Sequence, residues 1–426
     1  MRSARTTALT ALVAAGALLL TACGDSGGTT DDATDGATDT ATDTATDTAT
    51  DAGGPITVLI GSSGDAETTA VNDAVAAWAA ESGVDATVTV ATDLNQELSQ
   101  GFAAGSPADV FYLSPDQLAG FASNGSVYAY GDQLGNVDDF YPSLVDNFTV
   151  DGQLYCAPKD FSTLALVIND AAWAAAGLGD ADIPTDWDGL RAAAQALTTD
   201  SQVGLSFGPE YQRIGTFMAQ AGGGLLDGDT VVADSPENLT AMEFVQAMLV
   251  DGIAAFPSQI DTGWGGEAFG SGKAAMTIEG NWIVGALRND FPDVAYTVVP
   301  LPSGAAGQGT LQFTNCWGIA ADSQNQASAV NLVEFLTSTD QQLAFTEAFG
   351  VMPSVQSAAD GFRSQFPEQA AFLDSVDFAT GMPTQAGTSD AIGDFNGQLQ
   401  GLATGDPQAM LTSLQANLEA ALGSAG

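Results

Sequence analysis

Aromatic rings stand next to acid and amide side chains in two short stretches of the sequence. Trp264 lies in the glycine-rich segment 261–267, and Trp282 directly follows the Glu-Gly-Asn segment 279–281. A pyranose ring carries C–H groups on its faces and hydroxyls around its edge, so an aromatic face beside carboxylate and amide groups suits it. These residues could bind a sugar ring if the fold brings them into one cleft.

Other chemistries find little support. The chain has no histidine, which excludes Ser-His-Asp and Cys-His nucleophile pairs and imidazole acid-base steps. Gly272-Lys273 resembles the end of a phosphate-binding loop, but Glu267 and Ala274 occupy positions that the motif reserves for glycine and for Ser or Thr. We therefore predict no catalytic residue, no metal site and no cofactor. A carboxylate pair of the glycosidase type stays open as an alternative.

The composition is strongly acidic. Eight Lys and Arg residues stand against 53 Asp and Glu residues, giving a formal net charge of −45. Nucleic-acid binding needs clustered basic residues, so no nucleic-acid partner is expected. The acidity favours a soluble exported surface, and a role in capturing cations stays open.

The N-terminal region predicts export and anchoring. Residues 1–22 combine a short basic start with an apolar core and a site of small residues, which is typical of a signal peptide. The stretch that ends at Cys23 resembles a bacterial lipoprotein signal, in which this cysteine becomes the lipidated first residue. Residues 23–54 contain Ala-Thr-Asp-Thr repeats without large apolar side chains and predict a disordered tether. We expect a lipid-anchored protein on the extracellular face of the bacterial cytoplasmic membrane.

Strand and helix patterns alternate after the tether. The first series predicts strands at 56–60, 87–90 and 108–113 and helices at 69–80, 94–104 and 114–123. The second predicts strands at 163–168, 203–207, 274–278, 296–299 and 317–321 and helices at 187–197, 214–220, 236–249, 283–287, 327–337 and 340–349. This order predicts α/β architecture in two lobes, with ligand contacts at the carboxyl ends of parallel strands.

Several segments together resemble the extracellular solute-binding proteins of family 1, the maltose-binding-type receptors of ABC importers. The resemblance is carried, in order, by residues 152–161, 164–169, 270–282, 327–343 and 350–354. It implies a two-lobe periplasmic-binding-protein-like fold (type II, Venus-flytrap) with multiple hinge crossings. Lobe 1 would comprise 55–157 plus 318–375, and lobe 2 would comprise 160–315 plus 376–426.

The resemblance also implies a site, partners and a cross-link. The strand-end loop and the glycine-rich loop predict ligand contacts at Ser62, Ser63 and Trp264. The resemblance implies further contacts at Asp116, Asp160, Phe161, Tyr211, Glu279, Asn281, Trp282 and Trp317. Gly280 would let the backbone approach the ligand closely. The implied partners are a carbohydrate ligand and ABC permease subunits with a cytoplasmic ATPase. The resemblance further implies that the protein catalyses no reaction, and we expect it to be a monomer. The resemblance places Cys156 and Cys316 on adjacent strands that cross between the lobes, which predicts a disulfide in an exported chain.

Two other functions remain possible on the sequence alone. A receptor of the same fold for polyamines or other cations would account for the acidity. A carboxylate-pair glycosidase is the alternative from a different class.

Overall fold

The computed structural model describes residues 54–228, 230–385 and 387–424. The predicted signal peptide, Cys23 and all of the tether except Gly54 lie outside the described residues. None of the helices within the described ranges has the length and apolarity needed to span a bilayer.

Most β-strands of the described chain join one mixed sheet. In chain order the strands are β1 (Ile56–Ile60), β2 (Ala86–Val90), β3 (Val110–Leu113), β4 (Thr149–Val150), β5 (Gln153–Leu154), β6 (Cys156–Asn169), β7 (Val203–Ser206), β8 (Leu226–Asp227), β9 (Thr230–Val231), β10 (Ala254–Ala255), β11 (Ala274–Gly280), β12 (Tyr296–Val299), β13 (Thr310–Ile319) and β14 (Ala379–Thr380). The main sheet has the order β10-β7-β11-β6-β13-β3-β1-β2, with β12 paired to β6 and β14 paired to β13.

Helices cover this sheet. In chain order they are α1 (Asp65–Ser82), α2 (Leu94–Ala103), α3 (Pro115–Ser123), α4 (Pro142–Asn147), α5 (Asp170–Ala175), α6 (Trp187–Leu197), α7 (Tyr211–Ala221), α8 (Pro236–Val250), α9 (Gly265–Gly270), α10 (Trp282–Asp290), α11 (Gln326–Leu336), α12 (Thr339–Phe349), α13 (Ala359–Gln365), α14 (Ala370–Asp374), α15 (Thr388–Leu399) and α16 (Pro407–Ser424). The predicted α/β class and its element order are confirmed.

Two hydrophobic cores define the two-lobe fold. One surrounds β1 and β3 and takes in α1, α11 and α12, while the other surrounds β7 and β11 and takes in α6, α7, α8, α15 and α16. β6 contributes Ala157 to the first core and Leu164 to the second, and β13 contributes Trp317 to the first and Leu311 to the second. These two strands therefore run from one core to the other. The finer lobe boundaries stay a prediction.

β6 and β13 are long because their antiparallel pairing continues across the region between the cores. The register runs from Gln312 opposite Thr163 to Gly318 opposite Cys156, with an irregularity after Asn315. Every residue of β6 from Cys156 to Ile168 is buried, as expected for a strand covered on both faces. The segment 159–163, which is polar except for Phe161, interrupts its apolar sequence. At this segment the two strands border the cleft described below.

A disulfide joins Cys156 of β6 to Cys316 of β13, with their Cα atoms 5.5 Å apart. Both cysteines are fully buried, in a cluster with Phe111 and Leu113 of β3. The predicted pairing is present in the structure, and it ties together the two strands that both cores share.

Replacing both cysteines, Cys156→Ser with Cys316→Ser, should lower the free energy of unfolding by about 2–5 kcal/mol. The cross-link spans 160 residues of sequence, so the unfolded chain gains considerable entropy without it. Urea unfolding of the double variant and the parent would measure the loss. In a Cys23→Ser background, the unfolded and unreduced parent should show no free thiol with Ellman's reagent. Two reactive thiols would contradict the disulfide.

Candidate functional site

A cleft of about 650 Å³ lies where β6 and β13 cross from one core to the other. Its walls come from the β1–α1 loop and α1, the start of α3, the middle of both shared strands, and parts of α7, α10, α12 and α15. Its polar and aromatic lining includes Ser63, Glu67, Asp116, Lys159, Asp160, Phe161, Gln212, Asn281, Trp282, Gln312, Phe313, Thr314, Asn315, Phe349, Ser389 and Asn396. Segments distant in sequence therefore meet in one concave site of a size suited to a small ligand.

Part of the predicted ligand set lines this cleft. The members that do so are Ser63, Asp116, Asp160, Phe161, Asn281 and Trp282. Ser63, Asp116, Asn281 and Trp282 follow predicted strands, whereas Asp160 and Phe161 lie within β6, ahead of the predicted strand 163–168. The fold brings all six together. Phe161 is 2% exposed, so it supports the wall more than it presents a ring to a ligand.

Two of the predicted tryptophans pack against hydrophobic clusters and do not line the cleft. Trp317 is 1% exposed and contacts Tyr112 edge to face, with ring centroids 4.7 Å apart. Trp264 packs against the hydrophobic cluster that contains Phe269, and its ring fills the space beside Gly266. The glycine-rich stretch thus has a core to pack against, which corrects the expectation for Trp264. The expectation for Trp317 is corrected because β13 places this residue within the sheet.

Ser62 and Tyr211 also lie outside the lining. The Ser62 hydroxyl donates to the Gly64 carbonyl at 2.7 Å and accepts from the Thr68 hydroxyl at 2.8 Å, so it stabilises the turn before α1. Tyr211 is 4% exposed within the second core, and burial raises the pKa of its phenol well above its usual value. Both side chains have structural surroundings that account for them.

Trp282 is held in the cleft by a buried ion pair. Arg213 donates to Oε2 of Glu279 at 2.6 Å, and the Trp282 indole nitrogen donates to the same oxygen at 3.1 Å. The Arg213 guanidinium carbon lies 5.5 Å from the Trp282 ring centroid, and Phe313 meets that ring edge to face at 5.8 Å. Since 40% of Trp282 remains exposed, these contacts fix the ring while leaving part of it free.

Glu279 therefore acts on the site indirectly, by positioning Trp282. Its side chain is 1% exposed and does not line the cleft. Burial raises the pKa of this carboxyl, although Arg213 and the Trp282 indole act in the opposite direction. Gly280 has a related role, because a Cβ atom there would lie 2.2 Å from the Trp282 ring. The expected close approach at Gly280 is thus made by the chain's own tryptophan.

A second buried ionic group lines the opposite part of the cleft. The Lys159 ammonium lies 3.1 Å from Oε1 of Glu67 and also pairs with Oδ2 of Asp160. Glu67 accepts further hydrogen bonds from the Tyr112 hydroxyl at 3.0 Å and from the backbone and hydroxyl of Ser63, each at 2.7 Å. No described hydrogen bond engages Oδ1 of Asp160, so this oxygen remains available as an acceptor.

The pKa directions agree with this arrangement. Burial opposes the charge on Glu67, but Lys159 and the Ser63 hydrogen bonds outweigh it and lower the pKa of Glu67. Burial likewise disfavours the Lys159 ammonium, yet Asp160, Tyr112 and Glu67 together raise the pKa of Lys159. For Asp160 burial dominates and raises the pKa despite the adjacent lysine. The lysine is therefore a fixed cation within the cleft wall.

Two further contacts join elements on either side of the cleft. The Asn281 amide donates to the Gly350 carbonyl at 2.8 Å. The Ser389 hydroxyl of α15 donates to Oδ2 of Asp116 at the start of α3, at 3.3 Å. These hydrogen bonds leave oxygens of Asn281 and Asp116 as possible acceptors for a ligand.

Sequence reasoning missed several lining residues. Lys159 stands directly before the predicted Asp160, but its carboxylate partner Glu67 is 92 residues away and is one acid among many. Phe313 and Asn315 lie in the part of β13 that was not predicted as strand. The four polar residues of segment 159–163, inside an otherwise apolar strand, are the available signal for Lys159. No group of three Asp, Glu or Cys side chains placed to hold a metal ion occurs within the described ranges.

Comparison with known proteins places the chain in a family. Residues 73–373 match the family model described as bacterial extracellular solute-binding protein. A Brucella abortus protein named as a binding protein is 25% identical over 348 residues, which cover 77% of this chain and 83% of that one. The chain belongs to the bacterial extracellular solute-binding proteins, which confirms the resemblance found in the sequence.

Solved structures share the fold. The cyclic α-maltosyl-1,6-maltose binding protein from Arthrobacter globiformis has a TM-score of 0.78 at 18% identity, covering 87% of this chain and 99% of that chain. The sugar-binding protein MalE from Xanthomonas citri has a TM-score of 0.77 at 19% identity, with coverages of 87% and 98%. The GacH receptor of Streptomyces glaucescens, solved with acarbose, has a TM-score of 0.74 at 22% identity, with coverages of 87% and 99%. These matches confirm the two-lobe fold.

Arg213→Met should lower the free energy of unfolding by about 3 kcal/mol, because Glu279 would keep a buried charge without its cation. Adding Glu279→Gln to this variant should recover most of the loss, since the neutral amide costs less to bury. Urea unfolding of the two single variants, the double variant and the parent gives the coupling energy between the side chains. A double variant no more stable than Arg213→Met would contradict the assigned ion pair.

Proposed function

We propose that the chain is the substrate-binding lipoprotein of an ABC importer. It captures a mono- or oligosaccharide between two closing lobes and delivers it to the membrane permease, while a cytoplasmic ATPase partner hydrolyses ATP. The observation that carries this proposal is the partly exposed ring of Trp282 in a cleft lined by Asp160, Asn281 and Asn315. The aromatic face suits the C–H faces of a sugar, and the neighbouring carboxylate and amide groups suit the hydroxyls around its edge.

The names of the similar structures support a sugar ligand. They refer to a cyclic maltosyl-maltose, to sugar and to acarbose. Those proteins share this fold at identities too low to fix a ligand, so the sugar comes to this chain as a proposal. The cleft volume of about 650 Å³ lies within the range that suits small-molecule ligands.

Binding would act through lobe closure. A ligand that contacts the Trp282 side and the Asp160 side of the cleft favours the closed arrangement by its differential affinity. The permease would then recognise that arrangement. In this proposal the protein binds its ligand without turning it over, and it acts as a monomer anchored through Cys23.

A cation receptor is the second candidate. The charged side chains of the described cleft lining are Glu67, Asp116 and Asp160 on the acidic side, with Lys159 as their counter-charge. This excess of carboxylates would favour a polyamine over an anion. Lys159 already occupies two of these carboxylates, which makes the uncharged sugar the better-supported ligand.

A thermal-shift panel distinguishes the candidates. Maltose, maltotriose, cyclic α-maltosyl-1,6-maltose, spermidine and calcium chloride would each be added to the purified protein. We expect at least one sugar to raise the unfolding temperature by about 2 °C or more at saturation. A shift with spermidine or calcium but with no sugar would contradict the proposal, and release of reducing ends from an oligosaccharide would show an enzyme.

Trp282→Ala should weaken binding of the sugar identified in that panel by at least about tenfold, as expected when a central aromatic contact is removed. Trp282→Phe keeps a ring and should lose less. Isothermal titration would give both dissociation constants, and urea unfolding would confirm that each variant is folded. Unchanged affinity in the Ala variant would exclude Trp282 as a wall of the sugar site.

Cys23→Ser should move the protein from the membrane fraction to the soluble fraction of the expressing cells, because a stably anchored lipoprotein needs its acyl chains. Immunoblots of the two fractions would measure the change. A membrane-bound Cys23→Ser protein would show that another element anchors it.

A further inference from the structure

The Lys159 ammonium sits in surroundings that proteins use to bind a cationic ligand. It pairs with the carboxylates of Glu67 and Asp160, and it lies 4.5 Å from the Tyr112 ring centroid and 5.8 Å from the Phe349 ring centroid. Paired carboxylates and aromatic faces together recognise ammonium groups. We call Glu67, Asp160, Tyr112 and Phe349 the ammonium box. Its occupant in this chain is the chain's own side chain, which is 7% exposed.

Hydrogen bonds that do not involve the Lys159 ammonium position much of the ammonium box. Ser63 donates to Oε2 of Glu67 through its backbone nitrogen and its hydroxyl, and Tyr112 donates to Oε1. The Gln342 amide holds the backbone carbonyl of Lys159 at 2.9 Å. We therefore expect Glu67 and Tyr112 to keep their positions when the lysine side chain is shortened.

The box also borders the ligand cleft. Glu67, Lys159, Asp160 and Phe349 all belong to the cleft lining. We propose that Lys159 acts as a specificity-determining residue by filling an ammonium-binding site of the cleft with its own amine. A cationic ligand then finds this site occupied, and an anionic ligand finds the lysine already neutralised by two carboxylates.

The ligand class that remains is uncharged and rich in hydroxyls. This consequence rests on the proposed sugar-binding function, whereas the occupied ammonium box follows from the contacts alone. Lys159 thus engages two of the three carboxylates of the described cleft lining and leaves a site suited to neutral sugars.

Chemical rescue tests the proposal. Lys159→Ala removes the amine and three methylene groups, which n-propylammonium replaces. We expect the unfolding temperature of this variant to fall below that of the parent and then to rise saturably with n-propylammonium chloride, by about 2 °C or more at ten times the dissociation constant. Sodium chloride and tetramethylammonium chloride, which carry charge but no N–H donor, should not reproduce the rise.

The parent and Lys159→Met are the matched controls. The parent keeps its own ammonium, and the methionine fills the space without a charge, so neither should respond to n-propylammonium beyond the sodium chloride effect. If Lys159→Ala is unfolded in buffer, soluble folded protein should be recovered on refolding with n-propylammonium and not with sodium chloride. Equal responses to the two salts, by temperature or by refolding, would overturn the proposal.

The two hypotheses fail separately. Loss of rescue in Lys159→Ala would leave sugar binding by the parent protein unaffected. Absence of sugar binding by the parent would leave the rescue by n-propylammonium intact.

Discussion

The antiparallel pair β6 and β13 is the constraint on which the rest of the structure depends. Both strands contribute to both cores, and the Cys156–Cys316 disulfide fixes one end of their pairing. Between the cores the same strands supply Asp160 and Asn315 to the cleft. Because backbone hydrogen bonds set the register, the position of these polar groups is determined by the sheet and needs no flexible loop.

The cations at the cleft and behind its wall are each paired with a carboxylate. Lys159 pairs with Glu67 and Asp160, and Arg213 pairs with Glu279. A buried charge is tolerated when it is paired and hydrogen-bonded. The overall charge of −45 thus says little about the ligand, whereas the local pairing defines which oxygens and ring faces are free to bind.

Local pattern predicted much of the fold and part of the site. Helix 187–197 and strand 296–299 were predicted with the bounds that the structure has, because their periodicity and caps are local. The sequence also predicts Asp160, Asn281 and Trp282 as ligand contacts, and all three line the cleft. Asp160 lies within β6, and the other two directly follow β11. Trp264 and Trp317 do not line the cleft because their packing depends on the tertiary structure: Trp264 packs against a cluster assembled from several segments, and Trp317 contacts Tyr112 of β3. The pairing of Glu67 with Lys159 is likewise tertiary, so no local pattern reveals it.

In the proposed function, the cleft binds a sugar with one face against Trp282. A crystal structure of the protein soaked with the sugar that most stabilises it would test this directly. We expect a sugar ring over the exposed part of Trp282, with hydroxyls within hydrogen-bond distance of Asp160 or Asn281. A ligand bound elsewhere, or density in this cleft that only a polyamine or a metal ion explains, would contradict it.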